Sequence, residues 1–136
     1  MSSENVELVR RMWEAFLGDD PIAGLAFCDP EIEWDGRNLP DGRIARGHEA
    51  ILEHAMRWAE MWEDWRMEPE RFVDAGDDKV VLVFRETGRS ESGVSMDERH
   101  AELYVVRGGK VVYRKGFSDP GEAFEEAQLP DSSRSR

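Results

Sequence analysis

From Lys79 to Phe117 the chain passes through three stretches in which apolar residues either crowd together or alternate with polar ones. Val80 to Phe84 is an unbroken apolar run, whereas Arg99 to Val106 and Val111 to Phe117 alternate, the pattern of strands with one buried face. Arg107-Gly108-Gly109-Lys110 separates the last two, and its glycines suit a two-residue hairpin because both can take positive φ at no steric cost. That turn predicts Val106 opposite Val111, Tyr104 opposite Tyr113, Glu102 opposite Lys115 and His100 opposite Phe117. One hairpin face is then aromatic and titratable, while the other carries Ala101, Leu103, Val105, Val112, Arg114 and Gly116. A one-residue slip or a bulge would exchange the two faces, because strand side chains alternate with period two.

The preceding chain reads mainly as helix. Val6, Val9, Trp13, Phe16 and Leu17 fall at helical spacing between Glu4 and Leu17, with Gly18 as a stop. Asp19-Asp20-Pro21 is a helix-start signal for a short second helix, Ile22 to Phe27, which Asp29-Pro30 ends. Glu31 to Gly36 alternates like a strand, Arg37 to Gly47 has loop composition, and His48 to Trp62 places Ile51, Ala55, Trp58 and Trp62 on one helical stripe. Trp65 to Asp74 reads as a polar strand that turns at residues 74–78 into Lys79. After the sheet a short helix spans Glu122 to Gln128, and residues 130–136 read as a disordered polar tail. Segregated helices and strands of this kind predict an α+β fold, with helices on one side of a curved sheet. A sheet curling round the helix at 48–62 encloses a cone, and a cone is a pocket.

A chain of 136 residues is one domain's worth and can bury about two thirds of its unfolded surface without staples. We read residues 1–129 as a single domain. One cysteine, Cys28, allows no internal disulfide, and without a neighbouring His or basic cluster it reads as a small core residue. Acidic residues outnumber basic ones 30 to 18, for a net charge of −12, which argues against nucleic acid and against anionic membrane surfaces as partners. No signal-like or membrane-length apolar run occurs, so a cytoplasmic protein is expected. Five Trp and six Phe are more than a minimal core needs, and such aromatics either fill a core or line a ligand pocket.

Several blocks together resemble the SnoaL-like, polyketide cyclase-like branch of the nuclear-transport-factor-2-like (NTF2-like) superfamily, which also includes ketosteroid isomerase. They are Glu4 to Arg11, Asp29-Pro30-Glu31-Ile32-Glu33-Trp34, Arg46-Gly47-His48-Glu49-Ala50-Ile51, Gly109-Lys110-Val111-Val112, and Ser118 to Ala127. The resemblance implies an NTF2-like cone, a cofactor-free carboxylate acid/base on a small hydrophobic molecule, and a homodimer formed through the sheet. Compared with ketosteroid isomerase it sets Asp35 at the general-base position and Glu102 nearest the second carboxylic acid. The helix tyrosine of that enzyme would fall near Arg11, and the first helix here has no Tyr.

The residues offer their own candidates. Asp35 beside Trp34 is either a partly desolvated base or the start of an Asp-Gly turn. His100, Glu102 and Tyr104 alternate along one strand, either as a wall able to hold and protonate an oxyanion or as outer-face packing. Arg85 and Arg114 interrupt apolar strand faces, to pair with a carboxylate, to clamp a substrate anion or to reach water at the rim. Trp13 and Trp58, with Trp34, are candidate ligand contacts. His48 and His54 lie on different faces of one helix, so no metal is indicated. The outer sheet face would show Tyr, Phe and Val to water, which also favours a dimer. The alternative to an enzyme is a non-catalytic binding or dimerisation module whose cone is filled by Trp13, Trp58 and Trp62.

Overall fold

The computed structural model describes residues 2–18, 20–37 and 44–127. Within them the chain runs α1 (Ser2–Phe16), a 3-10 helix (Pro21–Phe27), β1 (Cys28–Asp35), β2 (Ile44–Arg46) and α2 (His48–Met61). Then follow β3 (Glu63–Gly76), β4 (Lys79–Arg89), β5 (Ser95–Arg107), β6 (Lys110–Phe117) and α3 (Pro120–Glu126). The expected helices and strands are present, with three local differences. The second helix is 3-10, capped by the Asp20 carboxylate, which accepts from the Ile22 amide. Asp29-Pro30 lies inside β1, and the expected loop holds the short strand β2. The expected disordered tail lies outside the described residues.

Six strands form one sheet in the order β2-β1-β6-β5-β4-β3, antiparallel except for the β1–β6 pair. This is an α+β fold, a curved unclosed sheet with α1 and α2 against its concave side. One core fills the narrow end of the cone. Val9 and Met12 of α1 meet Ile32, Val80, Leu82 and Val111 there, and all six are fully buried. The 3.6-residue spacing of the α1 apolar stripe is what brings Val9, Met12, Trp13 and Phe16 to this side.

The Gly108-Gly109 turn forms as the sequence predicts, with φ of 57° and 75° and Arg107 opposite Lys110. The register beyond it does not follow. Val106 pairs with Val111, but Val105 already pairs with Tyr113, so Val112 is an extra residue in β6. This β-bulge inverts the rest of the strand. Tyr104 lies opposite Arg114 and Glu102 opposite Gly116, whereas Tyr113, Lys115 and Phe117 turn to the convex side. The predicted pairing of Tyr104 with Tyr113 and Glu102 with Lys115 is thereby corrected.

On the convex side a second core forms. Asp119 caps α3 by accepting from the Gly121 amide, and Ala123, Phe124 and Ala127 cover Val81, Val83, Leu103 and Phe117. Lys115 ties the helix down through two 2.9 Å contacts to Glu126. Part of the apolar convex face that favoured a dimer is therefore covered by the chain's own helix, while Val105, Val112 and Tyr113 on that face stay half-buried beside a surface groove. Phe124 is 2% exposed, and Phe124→Ala should cost about 3–5 kcal/mol of unfolding free energy in urea titrations while leaving far-UV circular dichroism native.

Candidate functional site

The concave face and α2 do not close on each other. Between them lies a cavity of about 1190 Å³, and all five Trp of the chain line it: Trp13, Trp34, Trp58, Trp62 and Trp65. The cone is thus not plugged by its own indoles. Leu17, Met56, Met61 and Val94 stand exposed among its lining residues, forming an apolar rim.

Two polar centres interrupt this apolar wall, both built on β5. His100 and Glu102 follow each other on one face of the strand, about 7 Å apart along it. At the first centre, Oε1 of Glu102 accepts from the Tyr104 hydroxyl at 2.6 Å and from Nε and Nη2 of Arg114 at 3.2 and 2.8 Å. Trp13 Nε1 donates to the Tyr104 oxygen at 2.6 Å, completing a chain from α1 to β6. Three aromatic rings surround the Arg114 guanidinium, those of Trp13, Trp34 and Tyr104, at 5.3, 5.1 and 5.8 Å. Glu102 and Arg114 line the cavity, with Tyr104 fully buried behind them. Burial and then the adjacent Glu102 charge push the Tyr104 phenol well above its ordinary range, so it stays a neutral donor. Burial disfavours the Arg114 cation, but Glu102 and Tyr104 more than offset it and the guanidinium is held charged. Oε2 of Glu102 and Nη1 of Arg114 make no hydrogen bond among the described residues.

The second centre contains a residue that sequence reading did not single out. Glu86 is 6% exposed; its Oε2 accepts from both Trp58 and Trp65 Nε1 at 2.8 Å, and its Oε1 meets Nδ1 of His100 at 2.8 Å. Nε2 of His100 meets the rim carboxylate Glu98 at 3.0 Å. The signal for Glu86 was available, since it continues the inward series Val80, Leu82, Phe84 along β4. Stopping that run at Phe84 hid it.

Of the residues expected at the site, Trp13, Trp34 and Trp58 line the cavity with His100, Glu102 and Arg114. Arg85 does not; it faces the convex side and forms a two-pronged ion pair with Asp97 at 2.8 and 2.7 Å. Asp35 is also outside the lining. It follows Trp34 on β1 and therefore points to the opposite face, where it is fully buried. There it accepts from Arg37 Nε and Nη2 at 3.0 and 2.8 Å, from the Arg37 amide at 3.1 Å, and from the Tyr113 hydroxyl at 2.9 Å. The Arg37 side chain, opposed by burial, holds the Asp35 carboxyl well below the usual carboxylate range. Such a carboxylate locks a turn and is poorly suited to take a proton. Cys28 is buried, which pushes its thiol up, with its sulfur 3.7 Å from that of Met12. Among the described residues no group of three His, Cys, Asp or Glu side chains could hold a metal, and no helix is long and apolar enough to cross a membrane.

A family model described as a SnoaL-like domain matches residues 9–114. The chain belongs to the SnoaL-like domain family. Solved structures agree on the fold of this SnoaL-like domain. An NTF2-like protein from Burkholderia thailandensis is 28% identical with TM-score 0.76, over 93% of this chain and 98% of that one. A putative SnoaL-like polyketide cyclase from Jannaschia is 19% identical with TM-score 0.75, over 95% and 94%. TerC, co-crystallised with polyporic acid, is 22% identical with TM-score 0.74, over 92% and 98%. No curated protein matches the sequence.

Two predictions test the ionisable groups on either side of the sheet. Because the folded pKa of Asp35 is depressed, its contribution to stability is present above the unfolded value of about 4 and is lost as pH falls below it. Asp35→Asn should therefore cost about 2–3 kcal/mol at pH 7 in chemical denaturation, and the gap should shrink towards pH 3. The His100 pKa is raised, first by its hydrogen bond to Glu86, against the opposing effect of burial. Its stabilising contribution is thus full below the unfolded value of about 6.5 and is lost as pH rises through the higher folded value. Histidine NMR titration should place the His100 midpoint above the ordinary histidine value of about 6.5, and lower in Glu86→Gln.

Proposed function

We propose that this SnoaL-like domain catalyses proton transfer on a hydrophobic, ring-bearing carbonyl compound held in the cavity. Glu102 is the base and His100, oriented by Glu86, the donor to the carbonyl oxygen. The observation that carries this reading is the adjacency of the two groups on the cavity face of β5, one a carboxyl group with an oxygen that no described residue bonds and the other an imidazole whose cationic form is favoured.

The chemistry balances with these groups alone. Oε2 of Glu102 takes the proton α to the carbonyl, and the C–H bonding pair becomes the enolate double bond. Charge moves onto oxygen, where the Nε2 proton of His100 stabilises it. In a β,γ-unsaturated ketone, return of the proton from Glu102 to the γ carbon of the dienolate gives isomerisation; attack of the enolate carbon on a second carbonyl, whose oxygen then takes the Glu102 proton, gives ring closure. Arg114 and Tyr104 both bond Oε1, which leaves Oε2 without a hydrogen-bond partner among the described residues. Trp34 and the Trp58–Trp62 pair, whose rings lie 5.8 Å apart at 54°, present flat apolar surface to a ring system. The volume is that of a multi-ring ligand. That TerC, similar in fold, was co-crystallised with polyporic acid supports a small organic occupant.

The natural substrate is not required for the test. Hydrogen–deuterium exchange at C1 of 2-tetralone in D2O, followed by NMR, reports enolisation directly. The wild-type domain should accelerate exchange over buffer, and Glu102→Gln should lose about 10²- to 10⁴-fold of that acceleration at a temperature where circular dichroism shows the variant folded. Exchange in Glu102→Gln as fast as in the wild type, or none above buffer with any of a panel of aromatic ketones, would overturn the assignment.

A further inference from the structure

The proposed donor is already occupied. His100 Nε2, the ring nitrogen not engaged by Glu86, meets the carboxylate of Glu98 at 3.0 Å. The two partners are unlike. Glu86 is buried and fixed by two indole N–H groups, whereas the Glu98 side chain is 64% exposed at the rim and bonded to nothing else among the described residues. An exposed ion pair of this kind contributes little in water, so Glu98 can leave it readily.

We propose that Glu98 stands in for the reaction's oxyanion, and that planar aromatic oxyanions, phenolates and hydroxyquinones ionised at neutral pH, bind this cavity by displacing it from His100. The proposal rests on the reading of His100 as donor and adds a specificity-determining residue and a ligand class to it.

Binding at this nitrogen is an exchange of partners. A neutral ketone offered to His100 would replace a charge-assisted hydrogen bond by a neutral one, and loses that competition. An oxyanion replaces like with like and brings apolar rings to the indoles as well. Glu98 thereby screens the donor from the ground-state carbonyl and yields it when charge reaches the oxygen, so that the interaction strengthens in the transition state. It also leaves a negative group at the mouth that weakens, without preventing, the binding of an anion. Of the other charged groups lining the cavity, Asp97 is committed to Arg85 on the convex side, and Arg57 stands exposed on α2. Glu102 is committed to Arg114.

The experiment compares 2-hydroxy-1,4-naphthoquinone, an anion at neutral pH, with its neutral 2-methoxy ether, by quenching of the five cavity tryptophans. In Glu98→Gln the anion should bind about fivefold tighter than to wild type, and the ether should change less than about twofold. In a His100→Gln background the Glu98 effect on the anion should fall below about twofold, because the displaced contact no longer exists. An unchanged anion affinity in Glu98→Gln overturns the proposal, as does an equal gain with and without His100, which would mean simple repulsion at the mouth. Both failures leave the tetralone exchange and its loss in Glu102→Gln standing, so they are separable from failure of the catalytic assignment.

Discussion

One inserted residue governs the interior of this domain. Val112 bulges out of the β5–β6 ladder, and every side chain of β6 beyond it changes face. Without it, Arg114 would join Lys115's present surroundings on the convex side and Lys115 would enter the cone. With it, a guanidinium that is 8% exposed meets a carboxylate that is 7% exposed at 2.8 Å. Taking both charges from water is costly, and their mutual attraction recovers that cost only with good geometry and further partners. Those partners are present here: two Arg114 nitrogens and one hydroxyl converge on a single oxygen, and three rings enclose the cation.

The two sides of the sheet divide the labour. The convex side carries a dry aliphatic core under α3, together with charges in paired arrangements such as Arg85–Asp97 and Arg99–Glu70. The Asp35–Arg37–Tyr113 cluster belongs to it and secures the end of β1. The concave side carries the cavity and the two polar centres. A carboxylate on one side cannot take part in chemistry on the other, which is why the position of Asp35 in the strand matters more than its neighbourhood in sequence.

The five indoles differ in how their N–H groups are satisfied. Those of Trp13, Trp58 and Trp65 donate to Tyr104 and Glu86, and so fix the polar centres from behind. Those of Trp34 and Trp62 are buried with no acceptor among the described residues. Each such group forgoes about 1–3 kcal/mol that a partner would supply. Trp34 and Trp62 thus present their rings to the cavity, the flat apolar surface that the proposed reading uses.

Sequence alone was sufficient for the fold class, the element order apart from the short strand β2, the Gly-Gly turn and the alternation of His100, Glu102 and Tyr104 along one strand. Each of these is local, fixed by periodicity of side chains and by the φ that a residue can adopt. The number of aromatic residues left open whether they fill a core or line a cavity, and all five Trp line one. Tertiary structure decided the rest. Whether Arg114 or Lys115 enters the cone depends on a bulge whose residue, Val112, is an ordinary strand former with no local mark. Whether Asp35 faces the cavity or Tyr113 depends on which side of β1 the helices cover, and α3 of the same chain covers the part of the convex face around Phe117. Glu86 became a partner of His100 because β4 and β5 pair in a register that no single segment encodes. Faces, registers and partners are set by contacts distant in sequence, and a pattern of period two cannot say which of its two sides is inside.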